Sequence, residues 1–284
     1  MTTAYLVMAH RDALMFRRLV AALPETASVY AHIDARVDVK PFEVGCPSVI
    51  FLEHRLSPNW ASWTIVEVAT LLLEAALRDT SVARCTLLSG QCYPILSPNA
   101  LTAWEEDPVD HLEIVSAPNP KWGKEAWRFE RRWNTTGRRK PDSLTARVSG
   151  ALTRHFGSRS ELTALVGGTP LYAGSAWWSF TRATAERAAH TARNDSALIE
   201  YFSHTYSPDE SFWHTVVARY VDIATIACGP TFVKWQGGPH PAPLTSEDVI
   251  REARARRFAF ARKFASEQTE LLDLVDRLRQ GRAP

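Results

Sequence analysis

The first 33 residues constrain the fold more than any other stretch of the chain. Ala4 to Ala9 is a short apolar run suited to a buried strand, and Asp12 to Leu23 carries Leu14, Phe16, Leu19, Val20 and Leu23 at helical spacing. Ser28 to Ile33 is a second short apolar run. Strand, helix and strand joined by short links predict two parallel strands with a crossover helix, and therefore an α/β sheet. Val49 to Leu52 reads as a third strand, Trp63 to Leu77 as a long apolar helix, and Thr86 to Leu88 as a fourth strand. This is the pattern of a nucleotide-binding half-domain.

Beyond it, Ser97 is placed to cap a short helix with Pro98 in its first turn, because a serine oxygen accepts from backbone N–H groups that lack an intrahelical partner. From Pro118 to about Gly168 a polar, tryptophan-spaced stretch interrupts the alternation and reads as an insertion. Regular structure is expected to resume with a strand at Trp177 to Thr181 and a helix at Ala183 to Ala192. A further helix is expected at Glu210 to Tyr220, and an arginine-rich helical tail from Ser246. No internal repeat is present.

At 284 residues and 45% apolar content, the chain can bury a substantial core as one large domain or two small ones. The formal charge of +2 hides an asymmetry: residues 121–160 hold eleven Lys and Arg against three Asp and Glu. Such a segment fits either an anionic partner or a solvated basic loop, and no nucleic-acid-binding motif accompanies it. Cys46, Cys85, Cys92 and Cys228 form no C-x-x-C pair and no zinc spacing with histidine, which fits free thiols in a reducing cytosol. The opening MTTAYLVMAH lacks the basic flank and cleavage site of a signal peptide, and no run approaches the roughly 20 apolar residues of a membrane span. A cytoplasmic location is expected.

Four segments carry chemistry. Asp34 ends the Tyr30-Ala31-His32-Ile33 strand, where open α/β sheets place their ligands, so its carboxylate either accepts from a nucleoside or caps a turn. In Leu88-Ser89-Gly90-Gln91-Cys92-Tyr93-Pro94, Gly90 permits close backbone approach and Gln91 can donate to a sugar hydroxyl, although an ordinary strand-ending turn has the same composition. Asp209 and Glu210 either complement a helix dipole or supply a carboxylate that takes a proton from an attacking hydroxyl. Phe260-Ala261-Arg262-Lys263-Phe264 either forms an amphipathic helix or presents cations that offset charge on a leaving diphosphate. No Asp-x-Asp motif occurs, the nearest acidic pair being Glu105 and Asp107 beside Trp104. Neither does a phosphate loop, a G-x-G-x-x-G fingerprint or an H-E-x-x-H helix, which weighs against kinase, dehydrogenase and metalloprotease readings.

Taken in order, AYLVMAHRD, VYAHID, RLSPNWASWTIVEVATLLLEAAL, LLSGQCYPI, YAGSAWWSFTR, YSPDESFWHTV, KWQGGPHPAPLTSEDV and FARKF resemble the core-2/I-branching β-1,6-N-acetylglucosaminyltransferase and peptide xylosyltransferase family. The resemblance implies a GT-A fold: one α/β domain with a mixed central sheet. Within it, residues 1–117 would be the nucleotide-binding half, 118–168 a basic acceptor-side insertion, and 169–284 the catalytic and diphosphate-binding part. It also implies inverting, metal-independent transfer of GlcNAc or xylose, with a UDP-sugar as co-substrate, no cofactor and no metal.

Carried over by motif, Glu210 is the acceptor-activating base, while Lys263 with Arg262 contacts the diphosphate and Asp34 with His10 serves the nucleotide. Gln91, Cys92, Ser175, Trp177, Asp209 and Trp235 fall to the sugar or acceptor. Two departures stand out. Cys92 replaces an aspartate of many relatives, and His240 lies about where animal branching enzymes bring an arginine to the diphosphate, which would make that contact depend on pH. A glycan, lipid-linked or secondary-metabolite acceptor is expected, no nucleic acid, and at most peripheral membrane contact through the basic insertion. A non-catalytic nucleotide- or carbohydrate-binding protein that retains the fold is the alternative.

Overall fold

In the computed structural model, which describes residues 2–46, 48–133, 166, 168–237 and 240–282, the N-terminal unit forms as the sequence predicts. β1 (Thr2–Ala9), α1 (Ala13–Ala22) and β2 (Ser28–Ile33) succeed one another, and β1 pairs with β2 in parallel. Asp12 caps α1, its Oδ1 accepting from the Met15 N–H at 3.0 Å. β3 (Val49–Phe51) extends the sheet beyond β2. After α2 (Trp63–Leu77), β4 (Val82–Ser89) pairs in parallel on the other side of β1.

β1 is apolar on both faces because both are covered. Ala4 and Leu6 join one core with Val66, Ala69, Leu72 and Leu73 of α2, while Tyr5, Val7 and Ala9 join another with Met15, Phe16 and Leu19 of α1. The sheet then turns mixed. β7 (Tyr172–Thr181) runs antiparallel to β4, and β6 (His111–Ser116) antiparallel to β7, giving the order β3-β2-β1-β4-β7-β6. This is a single α/β domain with a mixed central sheet.

A second, three-stranded sheet of β5 (Tyr93–Pro94), β8 (Thr231–Val233) and β9 (Phe260–Arg262), with β9 in the middle, lies at the end of the chain that delivers Lys263. The segment Phe260 to Arg262 is thus a strand, which sets aside the amphipathic-helix reading; Phe260 and Ala261 are buried between β5 and β8. Ser97 caps α3 (Pro98–Glu105) as expected. α4 (Trp127–Glu130) falls in the described part of the insertion, whose residues 134–165 and 167 lie outside the described residues. α5 (Arg182–Asn194) is the helix expected from Ala183, and α6 (Ser196–Ser203) follows it.

The helix expected from Glu210 to Tyr220 is broken into two pieces. Pro208–Glu210 is a 3₁₀ turn entered through Ser207 at φ 48°, and α7 (Phe212–Val217) starts only after Ser211, whose φ of −148° is not helical. Asp209 and Glu210 therefore do not open an α-helix, and the helix-dipole account of them falls away. The tail forms α8 (Ser246–Ala255) and α9 (Thr269–Arg279), interrupted by β9.

Candidate active site

β1, β2 and β4 are adjacent and parallel, so the residues after their carboxyl ends share one edge of the sheet. His10, Asp34 and Gln91 occupy those positions. A cavity of about 700 Å³ opens beside them, lined by Arg11, Gln91, Lys263, Pro241, the first residues of α1 and the segment following Lys263. Among the described residues no carboxylate pairs with Lys263. Burial, then repulsion from Arg11 and Arg262, holds its ammonium below the ordinary lysine range.

Gln91 is less available to a sugar than its sequence context implies. Its Oε1 accepts from Arg11 Nε at 3.1 Å and its Nε2 donates to the Phe264 carbonyl at 3.1 Å. Asp34 is buried, and its two carboxylate oxygens accept from Arg36 Nε at 2.9 Å and Nη2 at 2.5 Å. Burial alone would raise the Asp34 carboxyl, but the Arg36 hydrogen bonds and charge hold it below the usual range. Burial and the cations Arg11, Lys263 and Arg36 lower His10, with Asp34 opposing them.

One sequence expectation is corrected here. Cys92 is fully buried, its Sγ 3.3 Å from both the N–H and the Oγ of Ser89, so it is a core position out of a ligand's reach. His240 is not among the residues that line the cavity with Lys263. Its ring instead lies 6.4 Å from that of Trp60.

On the other side of the site, the turn at Ser207 delivers Asp209 and Glu210. Glu210 Oε2 accepts from Lys124 Nζ at 2.5 Å and from Arg128 Nη1 at 2.7 Å. Burial opposes ionisation of Glu210, yet these two cations outweigh it and keep the carboxyl below its ordinary range. Asp209 behaves oppositely: burial and then the charge of Glu210 push it up to about 7, and its Oδ1 has no hydrogen-bond partner.

His214, within electrostatic reach of Glu210, is fully buried, and burial, then Lys124, brings it down to about 3, so it stays neutral. Ser175 lies on β7, its Oγ 3.5 Å from the Trp177 N–H. Trp177 carries the Arg262 guanidinium 4.5 Å from its ring centre, a cation–π contact that holds Arg262 although its Nε is unpartnered. Arg262 also lies within electrostatic reach of Asp209, which links the cations of the β9 end to the acidic turn.

Lys124 and Arg128 went unrecognised in the sequence because they are two of many cations in a basic stretch. Lys124 sits at an isolated bridge with Asn119 and Arg128 in α4, so no periodic spacing joined them in the sequence. Aromatic rings continue this side. Tyr206 lies 5.0 Å from Trp127, 5.1 Å from Trp133 and 5.7 Å from Trp60, and Arg128 sits 5.2 Å over its ring. Trp235 is 58% exposed, beside Lys234, which is anchored to Asp248 at 2.6 Å. No group of three His, Cys, Asp or Glu side chains able to hold a metal ion occurs among the described residues.

A family profile described as Core-2/I-Branching enzyme matches residues 3–256. The chain belongs to this family. Its GT-A type fold follows from that membership and from the mixed sheet. A human beta-1,3-galactosyl-O-glycosyl-glycoprotein beta-1,6-N-acetylglucosaminyltransferase is 25% identical over 84% of this chain and 58% of its own length. The sheep (Ovis aries) beta-1,3-galactosyl-O-glycosyl-glycoprotein beta-1,6-N-acetylglucosaminyltransferase 3 is 24% identical over 82% of this chain and 53% of its own. The chain thus spans little more than half the length of these relatives. Among solved structures, that of mannose-1-phosphate geranyltransferase from Thermus thermophilus is a remote likeness, with 14% identity, a TM-score of 0.32, and coverage of 77% of this chain and 68% of that one.

Proposed function

We propose that this core-2/I-branching protein is a glycosyltransferase that moves a sugar, GlcNAc or xylose, from a UDP-sugar to a hydroxyl of a glycan or other glycosylated acceptor, in one metal-independent, inverting displacement. The observation that carries the reading is that an acidic turn and a cationic strand end lie close enough for Arg262 and Asp209 to interact electrostatically. A base on the acceptor side and a cation on the leaving side are what displacement of a nucleoside diphosphate requires.

In this mechanism Glu210 is the base. Lys124 and Arg128 keep it ionised and fix its orientation, while Asp209, which makes no hydrogen bond to either cation, is held by burial and the charge of Glu210 near 7. The same two cations also weaken its basicity, so an acceptor hydroxyl that displaces one of them would strengthen the base on arrival. As the hydroxyl oxygen loses its proton and attacks the anomeric carbon, the bond to the diphosphate breaks on the opposite face, and Lys263 offsets the charge that grows there. Inversion follows from the single displacement. Trp235 and the ring cluster around Tyr206 supply apolar faces on which an acceptor sugar can stack.

A panel of UDP-sugars, with UDP release and thermal stabilisation as readouts, tests the donor reading; stabilisation by none of them would reject it. Replacing Glu210 by Gln is expected to lower turnover by roughly 10²- to 10⁴-fold while leaving UDP affinity within about twofold. Retained turnover would remove Glu210 from the role of base.

A further inference from the structure

We propose that Arg11 is a second cation for the donor diphosphate, and that Gln91 is the positioning residue that sets it beside Lys263. The assignment rests on the UDP-sugar reading above. Arg11 follows β1 and Lys263 follows β9, so they arrive from different sheets. They nevertheless line the same cavity of about 700 Å³.

Gln91 joins them. Its backbone carbonyl accepts from the Phe264 N–H at 3.0 Å, its side-chain Nε2 donates to the Phe264 carbonyl at 3.1 Å, and its Oε1 accepts from Arg11 Nε at 3.1 Å. One amide thus clamps the backbone next to Lys263 while holding the inner nitrogen of the Arg11 guanidinium. Because Nε is the atom engaged, the two terminal nitrogens of Arg11 remain for a bidentate anion, the geometry in which arginine binds phosphate best.

The local charges favour an anion here. Two acidic residues, Asp12 and Glu267, share the cavity wall with these cations; Asp12 has both oxygens committed to backbone N–H groups, of Met15 at 3.0 Å and of Ser266 at 2.9 Å, and neither carboxylate forms an ion pair with Arg11 or Lys263 among the described residues. Burial, then repulsion from Arg11 and Arg262, lowers the Lys263 ammonium. Neither Arg11 nor Lys263 is held in an ion pair among the described residues, so both remain to be neutralised by the negative charge of a diphosphate in the cavity they share.

The test is calorimetric titration of UDP, UMP and uridine into the wild-type protein and the Arg11→Ala, Arg11→Lys and Gln91→Leu variants at fixed salt. Arg11→Ala is expected to weaken UDP by roughly tenfold or more and uridine by less than about twofold, with Arg11→Lys recovering part of the loss. Gln91→Leu is expected to weaken UDP by a smaller factor, and by less still when Arg11 is already Ala, where only its hold on the Phe264 carbonyl beside Lys263 is left to lose. Arg11 is exposed, so its removal leaves the core intact, and a melting curve checks this. Equal losses for UDP and uridine in Arg11→Ala, or no loss, overturn the role of Arg11. An undiminished Gln91→Leu effect in the Arg11→Ala background overturns the positioning role of Gln91. Wild-type protein that binds no UDP overturns the donor reading itself, and this assignment with it.

Discussion

At the scale of single residues, the two adjacent carboxylates are chemically unlike because their neighbours differ. Glu210 holds two cations and Asp209 holds none by hydrogen bond, so the first is ionised and the second is pushed up to about 7. The folded value of Asp209 lies above its unfolded one, so its contribution to stability is fully present below the unfolded value of about 4 and is lost as pH rises through about 7. Asp209→Asn cannot ionise and should flatten that decline. Melting temperatures of the two proteins at about pH 5 and about pH 8 check this, and an unchanged pH slope would mean that Asp209 is not the titrating group. The candidate segments were legible at this scale: the SPDE and FARKF stretches, singled out by composition, hold groups that the fold brings into electrostatic reach. Lys124, Arg128, Arg36 and Arg11 were not, because an arginine or lysine in sequence carries no sign of which carboxylate or cavity it will face.

At the scale of elements, the site depends on the β6–β7 pair. The register shifts between Leu112 and Ile114, and Gly174 of β7 sits against the bulge. A side chain there would have its Cβ 1.7 Å from the Glu113 carbonyl oxygen and 2.8 Å from His214 Nε2, with backbone as the closer obstacle. Gly174→Ala should therefore destabilise the protein by about 3 kcal/mol, the upper range for overpacking, as read by urea denaturation. It should also reduce turnover, because a displaced His214 disturbs the electrostatic surroundings of Glu210. Helices and parallel strands were legible from apolar period alone, and α2 matches its expected limits. The turn at Ser207 was not, since a left-handed non-glycine residue has no periodic signature. Nor was β9, because a three-residue strand between charged segments is too short for a period to show.

At the scale of the whole molecule, the central sheet joins two cores, one centred on α2 and one closed by the last helix. α9 buries Leu272 and Val275 against the core that holds Tyr5 and Phe260. It is pinned by Arg279, which donates to the carbonyls of Leu96 at 3.0 Å and Ala22 at 2.7 Å. Leu272→Ala should cost about 2–5 kcal/mol, lowering the melting temperature in a single transition seen alike by near- and far-UV circular dichroism. Two separated transitions would show that the cores unfold independently. The sequence by itself determined the α/β class, the parallel N-terminal strands and the shared sheet edge that carries His10, Asp34 and Gln91, because local periodicity and short links dictate these. Only the tertiary structure decided that Cys92 belongs to the core, that Gln91 braces Arg11, and that Glu210 carries Lys124 and Arg128. Each of these depends on segments far apart in the chain packing side by side, and a carboxylate's basicity is fixed by the charges and burial around it rather than by its place in a motif.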